Sequence, residues 1–456
     1  MAAFSLFAKP TRADIRFLVS LLVIHAVYFF VATQYKCIYN GDSLEYINMA
    51  LNFNKGWFYS GGLLEPFDPM YYTLRPPGYP VFLWIIYLFG VNNWLVLLVQ
   101  NLISVFNILY LRHTLRVVGY SRKYDWILMA FVILYPSQFI NANIIQPELL
   151  LQTCVLFYFS NLILLVRKRS WTHAYVMSIA LICGLMMKPV WYPFVLMHFV
   201  ILVVFTAKYR KGILRSSVAA ILPLFVVLVY SYWNGQRTGK VHFSSIQSIN
   251  ALLYNQEYFI RETQGADSAE RFYHKELATS KAIPDFTERY NYQSQKALTM
   301  LKDNFVSYIA IHIRKSMFML IDPGKGEMDL FTAQTTLQQI FNPSKRPFRE
   351  VIMKDGLYGA KAYISANPSA PIAILILVFN IFRLIGIILF FYSRNVALKY
   401  KWIAGVLLCY FVFITGPVAY ARYFMPVSLI AIGCAAIGYQ LLLQRLRNTS
   451  NIVAVK

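Results

Sequence analysis

Charged residues are scarce in this sequence. They make up 14% of its 456 residues, whereas 58% are hydrophobic, and soluble domains carry about 25% charged residues. The apolar residues form long runs, such as residues 17–33 and 371–392, and a helix of about 17 to 24 such residues crosses a hydrocarbon core of roughly 30 Å. The shortage of charge therefore excludes a soluble globular protein and predicts an integral membrane protein.

Acidic residues are the scarcest charged class. The chain has 20 acidic and 43 basic residues, which gives a net charge of +23. In a soluble protein this excess would suggest a nucleic-acid partner. Here most of the basic residues lie in short loops between apolar runs, which is typical of the cytoplasmic side of a membrane protein. We therefore expect membrane lipids as partners and no nucleic acid.

Cysteine is also rare, and its spacing excludes two kinds of site. The five cysteines include no Cys-x-x-Cys pair, and four of them lie inside apolar runs, the set being Cys37, Cys154, Cys183, Cys409 and Cys434. Scattered thiols of this kind give neither a disulfide framework nor paired thiolate ligands for a metal. We expect them to be packing residues.

The apolar runs predict an all-α polytopic membrane protein with about ten transmembrane helices. The runs lie at residues 14–33, 93–115, 125–140, 148–166, 172–187, 191–206, 214–233, 371–392, 402–419 and 424–443. The first run has no Ala-x-Ala-type cleavage site, so it is interpreted as a retained first helix rather than a signal peptide.

An eleventh apolar run, residues 78–90, is too short to count as a span. As a helix it is about 20 Å long at 1.5 Å per residue. If it does not cross, every short-loop cluster of Lys and Arg falls on the cytoplasmic side together with both termini, as the positive-inside rule requires. The sequence therefore predicts a short helix on the outer face of the membrane.

This topology divides the chain into three parts. Residues 1–233 form an N-terminal transmembrane module with a first outer loop (34–94), residues 234–370 form a large outer loop or cap, and residues 371–456 form the C-terminal transmembrane helices. Within the cap, residues 297–320 have a helical apolar period that predicts a juxtamembrane helix. Turn signals at Asp322-Pro323-Gly324 and Asn342-Pro343-Ser344 indicate a folded cap.

The first outer loop contains two motifs. Asn40-Gly41-Asp42-Ser43-Leu44-Glu45-Tyr46 follows the first span, and Arg75-Pro76-Pro77-Gly78-Tyr79-Pro80 leads into the short helix. Together they resemble the GT-C superfamily of membrane glycosyltransferases, in particular its bacterial branch similar to protein O-mannosyltransferases and lipid A aminoarabinose transferases. The resemblance extends to Gln146-Pro147-Glu148, Lys188-Pro189 and Ala421-Arg422-Tyr423. Many members have Asp-Glu where this chain has Asp42-Ser43.

The resemblance implies an enzyme that moves a sugar from a polyprenyl-phosphate-linked donor to a hydroxyl or amine group of an acceptor lipid, glycan or protein. It implies a multi-pass protein of the bacterial inner membrane, cytoplasmic termini, a periplasmic active site and an inverting reaction. Similar enzymes use the acid at the position of Asp42 either as a base or as a metal ligand. A divalent cation, Mg²⁺ or Mn²⁺, therefore stays open as a cofactor.

The reaction chemistry asks for carboxylates and cations on the outer face. A carboxylate takes the proton of the acceptor, and cations stabilise the charge that develops on the leaving phosphate. Asp42 is the candidate general base, and the alternative is an N-cap for which Glu45 completes a capping box. Glu148 is the candidate second acid, and the alternative is an acid that only interacts with a helix dipole.

Three isolated cations, Arg75, Lys188 and Arg422, lie on the side where the short loops otherwise avoid positive charge. They are the candidates for binding the donor phosphate, and the alternative is snorkelling at helix ends. Tyr46, Tyr79 and Tyr423 lie next to the charged candidates. They are weaker candidates for sugar or acceptor contacts, against the alternative of an interfacial aromatic belt.

Two other functions stay open at this stage. A polysaccharide polymerase or ligase would also use a lipid-linked glycan, but its key Arg and His residues would lie on late outer loops. A transporter would place charged residues along a path through its spans. The long apolar runs of this chain have almost no acidic residues in their middle, which favours an enzyme.

Overall fold

The computed structural model of the chain describes residues 11–36, 38–62, 66–209, 213–332, 348–418 and 420–453. Throughout these ranges the regular secondary structure is helical, and they contain no strand. The all-α prediction is confirmed. Cys37 and the turn predicted at residues 342–344 lie outside the described residues.

The N-terminal half contains ten α-helices in the described residues. They are α1 (Arg12–Tyr35), α2 (Ser43–Phe53), α3 (Gly78–Tyr87), α4 (Asn93–Val117), α5 (Asp125–Ile133), α6 (Ser137–Ala142), α7 (Glu148–Lys168), α8 (Trp171–Met187), α9 (Phe194–Tyr209) and α10 (Ile213–Thr238).

The second half also contains ten helices in the described residues. They are α11 (Ile246–Ile249), α12 (Glu257–Gln264), α13 (Ala266–Ala282), α14 (Phe286–Asp303), α15 (Phe305–Met319), α16 (Lys325–Phe331), α17 (Phe348–Ala366), α18 (Ala370–Tyr392), α19 (Leu398–Ile414) and α20 (Ala421–Val453). A π-helical segment, Asn250–Gln256, joins α11 to α12.

Six helices of the described part are long and apolar enough to cross a membrane: α1, α4, α7, α10, α18 and residues Ala421–Arg447 of α20. Three other predicted spans are continuous but shorter helices, with 17 residues in α8, 16 in α9 and 17 in α19. The remaining predicted span, residues 125–140, is not one helix but two, α5 and α6. Pro136 causes the break because it has no backbone N–H and its ring clashes with the preceding turn.

Helices α1 and α4 run antiparallel. Arg112, near the end of α4, forms an ion pair with Asp14 in the first turn of α1, with 2.6 Å between Nη2 and Oδ1. The chain between the two helices, residues 36–92, therefore leaves and re-enters the bundle at the same end, the one at which α1 finishes with Tyr35. We call this the Tyr35 end and the opposite one the Asp14 end. The short helix α3 belongs to this connection, in agreement with the non-crossing interpretation of residues 78–90.

Two further helices follow the same arrangement. Near the end of α7, Arg167 donates a hydrogen bond to the carbonyl of Val117. In the second half of α20, the Gln440 side chain accepts a hydrogen bond from the Ser121 backbone N–H at 2.7 Å. Both contacts lie at the Asp14 end, so α7 and α20 begin at the Tyr35 end.

We expect a single cysteine at Val91 to react with membrane-impermeant reagents added from the outer side. In the structure Val91 follows α3 and is 67% exposed, and the positive-inside rule assigns the Tyr35 end to the outer side. The measurement is labelling of Val91→Cys in a cysteine-free background, with Lys123→Cys at the Asp14 end as the matched control. Labelling of Val91→Cys only by reagents that reach the cytoplasm would contradict the orientation.

Buried amide side chains stabilise the irregular backbone between α6 and α7. The Gln100 side chain of α4 donates to the carbonyl of Ile144 at 2.9 Å, and Asn101 donates to the side chain of Asn143 at 2.8 Å. Polar backbone groups inside an apolar bundle need such partners because no water is there to provide them. The network fixes the residues that precede Glu148.

The same segment holds the first loop in place. The Ile145 N–H donates to the carbonyl of Ile38 at 2.8 Å, and the Ser43 hydroxyl donates to the carbonyl of Ile145 at 2.7 Å. The Asn40 side chain donates to Gln146 at 3.1 Å. These bonds place the start of α2 beside the start of α7.

One segment of the cap differs from its prediction. The sequence predicts a single helix over residues 297–320, and the structure has parts of two helices there. Helix α14 ends at Asp303, and α15 begins at Phe305. Between them, the Asn304 side chain bonds to the carbonyl of Met300 at 3.0 Å. Asn side chains compete in this way for backbone groups that would otherwise continue a helix. The helix is therefore interrupted at Asn304, between α14 and α15.

Candidate active site

The structure brings together all five charged residues that the sequence singles out. Each lies at or near a helix end: Asp42 precedes α2, Arg75 precedes α3, Glu148 begins α7, Lys188 follows α8, and Arg422 is the second residue of α20. Their helix ends meet at the Tyr35 end of the bundle, where Arg422 contacts Asp42 across 380 positions of sequence. We call these five residues, with Glu45, the charge cluster.

Asp42 lies between two arginines. Its Oδ1 is 3.0 Å from Nη2 of Arg75, and its Oδ2 is 2.7 Å from Nη2 of Arg422. Asp42 occupies the N-cap position of α2, but its side chain makes no hydrogen bond to the first turn of the helix, so the interpretation of Asp42 as only a capping side chain is wrong. Charge-assisted bonds to guanidinium groups are about twice as strong as neutral ones, so the arginines outcompete the backbone N–H groups.

Glu45 belongs to the cluster, although the sequence suggested it only as a capping partner. Its Oε2 lies 2.5 Å from Nε of Arg75. A signal for this role was present: residues three positions apart share one face of a helix, so Asp42 and Glu45 present two carboxylates side by side. A single arginine can then bridge both.

Glu148 is completely buried at the start of α7. Its Oε1 accepts from Nζ of Lys188 at 2.6 Å and from Nε of Arg422, whereas Oε2 has no hydrogen-bond partner among the described residues. An acid that only interacted with the helix dipole would need neither cation. Arg422 therefore links the two candidate acids, Asp42 and Glu148.

The three cations point into the protein. The exposed fraction of the side chain is 9% for Arg75, 15% for Lys188 and 14% for Arg422. Snorkelling side chains would instead reach out to the interface with their charged groups in water. The snorkelling alternative is therefore wrong for this conformation.

Charges balance within the cluster, which holds three cations and three carboxylates. Burial alone would raise the pKa of Asp42, but the positive charges of Arg75, Arg422 and Lys188 lower it below its usual range. Asp42 is consequently ionised, and as long as both arginines hold it, it is a weak base. Its side chain is 28% exposed, so it stays accessible to a ligand.

The three tyrosines predicted as contacts for the sugar or the acceptor have different environments. Tyr46 and Tyr79 are fully buried and pack edge to face at 5.2 Å, and the Tyr79 hydroxyl donates to Gln100. Their prediction is corrected, because rings packed in the core have no free face for a sugar. Tyr423 is half-buried and lies under the ammonium of Lys188, 5.2 Å from Nζ to the ring centroid. It is the accessible candidate.

A divalent cation does not fit the charge cluster as it is arranged. Each oxygen of Asp42 is already taken by a guanidinium group, and a metal ion would have to displace these positive charges. Among the described residues, no group of three or more His, Cys, Asp or Glu side chains could hold a metal ion. The chemistry proposed below uses the residues of the chain alone.

Comparisons with known proteins give distant similarities. No family model and no curated protein matches the chain. Among solved structures, an oligosaccharyltransferase, AglB from Archaeoglobus fulgidus in complex with an inhibitory peptide and a dolichol-phosphate, matches at 11% identity and a TM-score of 0.44 over 96% of this chain. ArnT from Cupriavidus metallidurans bound to undecaprenyl phosphate matches at 14% identity and a TM-score of 0.38 over 92% of this chain.

The matches cover 52% of the AglB chain and 77% of the ArnT chain. This chain therefore spans about half the length of the archaeal enzyme. Both proteins are GT-C superfamily membrane glycosyltransferases, the class that the first-loop motifs resemble. At this level of similarity the matches assign no function, which has to be argued from the charge cluster.

Proposed function

We propose that the chain transfers a sugar from a polyprenyl-phosphate-linked donor to a hydroxyl or amine group of an acceptor on the outer face of the membrane. The observation that supports this most directly is Asp42 between Arg75 and Arg422, partly accessible at the end of a bundle of apolar helices. The phosphate of a lipid-linked donor lies at the membrane interface, because its prenyl chain is in the hydrocarbon core. A site at the end of the helix bundle is at the same level.

The cations are suited to the phosphate of the donor. Arg422 presents Nε and Nη2 to two different carboxylates, and Lys188 shares Glu148 with it. A phosphate that enters the cluster can replace Asp42 as the partner of Arg75 and Arg422, which retain charge-assisted bonds throughout, while the buried Glu148 keeps its pairing with Lys188 and Arg422. As the bond from sugar to phosphate breaks, the cations stabilise the charge that develops on the leaving oxygen.

Asp42 is the proposed general base. Its carboxylate takes the proton of the acceptor, the acceptor oxygen or nitrogen bonds to the anomeric carbon, and the phosphate leaves from the opposite side with the electron pair of the broken bond. The configuration at the anomeric carbon is thereby inverted. Glu148, paired with Lys188 and Arg422, orients the two cations and is a positioning residue.

The low pKa of Asp42 sets the order of donor binding and proton transfer. A base is most effective when its pKa is close to the working pH, and the two arginines hold Asp42 far below it. Once a donor phosphate binds Arg75 and Arg422, their charges are neutralised and the pKa of Asp42 rises towards its usual range. The donor therefore has to bind before Asp42 becomes an effective base.

A direct test separates glycosyl transfer from transport. Vesicles from the source organism, with the chromosomal gene deleted and the protein supplied from a plasmid, receive polyprenyl phosphate that carries a radiolabelled sugar. We expect label on a membrane or luminal acceptor and an equal amount of free polyprenyl phosphate, with neither in vesicles that contain Asp42→Asn. Uptake of an unchanged labelled molecule, equal in both vesicle types, would contradict the proposal.

A further inference from the structure

A turn between α15 and α16 is attached to the chain immediately before Arg422. Asp322 in this turn accepts hydrogen bonds at both carboxylate oxygens, from the Gly324 N–H at 3.0 Å and from the Ala421 N–H at 2.7 Å. The second bond fixes the turn to the first residue of α20. The start of α16 and the side chain of Arg422 are thus held in one corner of the bundle.

Gly324 makes close packing possible in this corner. It has φ +70°, and a Cβ at this position would lie 3.0 Å from Oγ of Ser137, 3.3 Å from Cβ of Ala421 and 3.7 Å from Oε2 of Glu327. Glycine adopts this conformation without strain and leaves room for the neighbours. The carboxyl group of Glu327 therefore lies close to the first turn of α20, next to the charge cluster.

The carboxyl group of Glu327 differs from the other charged groups of α16. Lys325 and Asp329 pair with each other at 2.5 Å, and Asp329 also accepts from Ser369. Both oxygens of Glu327 are shielded from solvent, and within the part of the chain that the structure describes neither makes a hydrogen bond of normal geometry; the nearest polar group is the Ser137 hydroxyl. An ionised carboxylate in such a place would be costly.

Several charges act on this carboxyl group. Burial is the largest influence and raises the pKa of Glu327 to about 8; the Ser137 hydroxyl and Arg422 oppose the rise, and Asp322 and Glu148 add to it. Tyr135, before α6, also lies within its electrostatic reach. Glu327 thus keeps its proton at neutral pH.

We propose that Glu327 is a positioning residue of the donor site, whose neutral carboxyl group leaves Arg422 available to the donor phosphate. This inference depends on the proposed function. An ionised Glu327 would add a carboxylate beside Arg422, attract the guanidinium away from the phosphate and repel the phosphate itself. Loss of the Glu327 proton would therefore weaken donor binding.

Lys188, a cation of the charge cluster, can also lose its proton as the pH rises. Burial and the charge of Arg422 lower the pKa of Lys188, and Glu148 and Asp42 oppose this. Loss of the Lys188 proton would also weaken phosphate binding at alkaline pH. The experiment must therefore use variants in which residue 327 cannot ionise and Lys188 is intact.

The experiment measures binding of undecaprenyl phosphate to the full chain in nanodiscs at about pH 7 and about pH 9.5. The second pKa of a phosphate monoester is about 6, so the ligand is mainly doubly charged at both pH values. We expect the wild-type affinity to fall roughly 10-fold or more between the two, since one added charge close to the phosphate costs at least this much at an effective dielectric constant of about 20. Glu327→Gln and Glu327→Ala should each show a change of less than about 3-fold, and Asp329→Asn on the same helix should behave as the wild type.

The possible outcomes separate the two proposals. A wild-type protein that does not bind undecaprenyl phosphate at either pH overturns the proposed function, and this inference with it. Binding without pH dependence in the wild type overturns only the role of Glu327. If the affinity falls equally with pH in the wild type and in both Glu327 variants, the role of Glu327 is also overturned, and the pH dependence is assigned to Lys188.

Discussion

Asp42→Asn is expected to lower the rate of sugar transfer by about 10²- to 10⁴-fold, the usual contribution of a general base. Asparagine has nearly the same size as aspartate but cannot accept the proton of the acceptor. The fold should tolerate the change, because Arg75 still pairs with Glu45 and Arg422 still pairs with Glu148. Transfer of radiolabelled sugar in vesicles, normalised to the amount of folded protein, measures the effect.

The matched variant Asp42→Ala tests the role of the side chain further. If Asp42 were only an N-cap, Asn would be tolerated and Ala would cost about 1 kcal/mol of stability. Because the side chain makes no capping bond, we expect both variants to fold and both to lose transfer. Near wild-type transfer by Asp42→Asn would contradict the base and direct attention to Glu148.

Arg422→Ala is expected to reduce transfer efficiency by about 10- to 150-fold, which corresponds to a charge-assisted contact of about 1.5 to 3 kcal/mol. Arg422 is the residue that joins Asp42 to Glu148, and no other cation of the cluster contacts both. The loss should appear in the dependence of the rate on donor concentration. Arg422→Lys should recover part of the efficiency, since it restores the charge but not the bidentate geometry.

The control for this prediction is Arg314→Ala. Arg314 lies in the cap, is 55% exposed and pairs with Glu262 away from the charge cluster, so its removal takes away one positive charge without touching the site. We expect its kinetics to equal those of the wild type. Equal kinetics of Arg422→Ala and Arg314→Ala, at equal expression, would remove Arg422 from the donor site.

Much of the fold could be predicted because hydropathy over long runs depends little on tertiary context. The exceptions are local. Pro136 interrupts a predicted span, and Asn304 interrupts a predicted amphipathic helix, because a single residue can compete with the helical hydrogen bonds. Apolar periodicity averages over many residues and does not detect such breaks.

The site could be predicted in part. Arg75, Lys188 and Arg422 were found because the short outer loops otherwise avoid positive charge, and Asp42 and Glu148 were found because they lie in motifs at predicted helix starts. Glu45 was misinterpreted because its partner is 30 positions away.

Residues whose roles depend on burial were not identified from the sequence. Tyr46 and Tyr79 were predicted as contacts for the sugar or the acceptor, but their rings are enclosed by packing between helices. Glu327 lies in a cap segment without a recognisable motif, and its environment arises from contacts with α6 and α20. Sequence spacing alone gives no information on such long-range packing.

The most direct test of the central claim is the affinity of the purified chain for undecaprenyl phosphate, compared with undecaprenol, which has the same chain but no phosphate. We predict saturable binding of the phosphate form, much weaker binding of the alcohol, and a loss of roughly 10- to 150-fold in Arg422→Ala. In Asp42→Asn the affinity should stay equal or increase, because a carboxylate that competes for the arginines is gone. Equal binding of the two lipids, or an unchanged affinity in Arg422→Ala, would contradict the assignment of the charge cluster as the donor site.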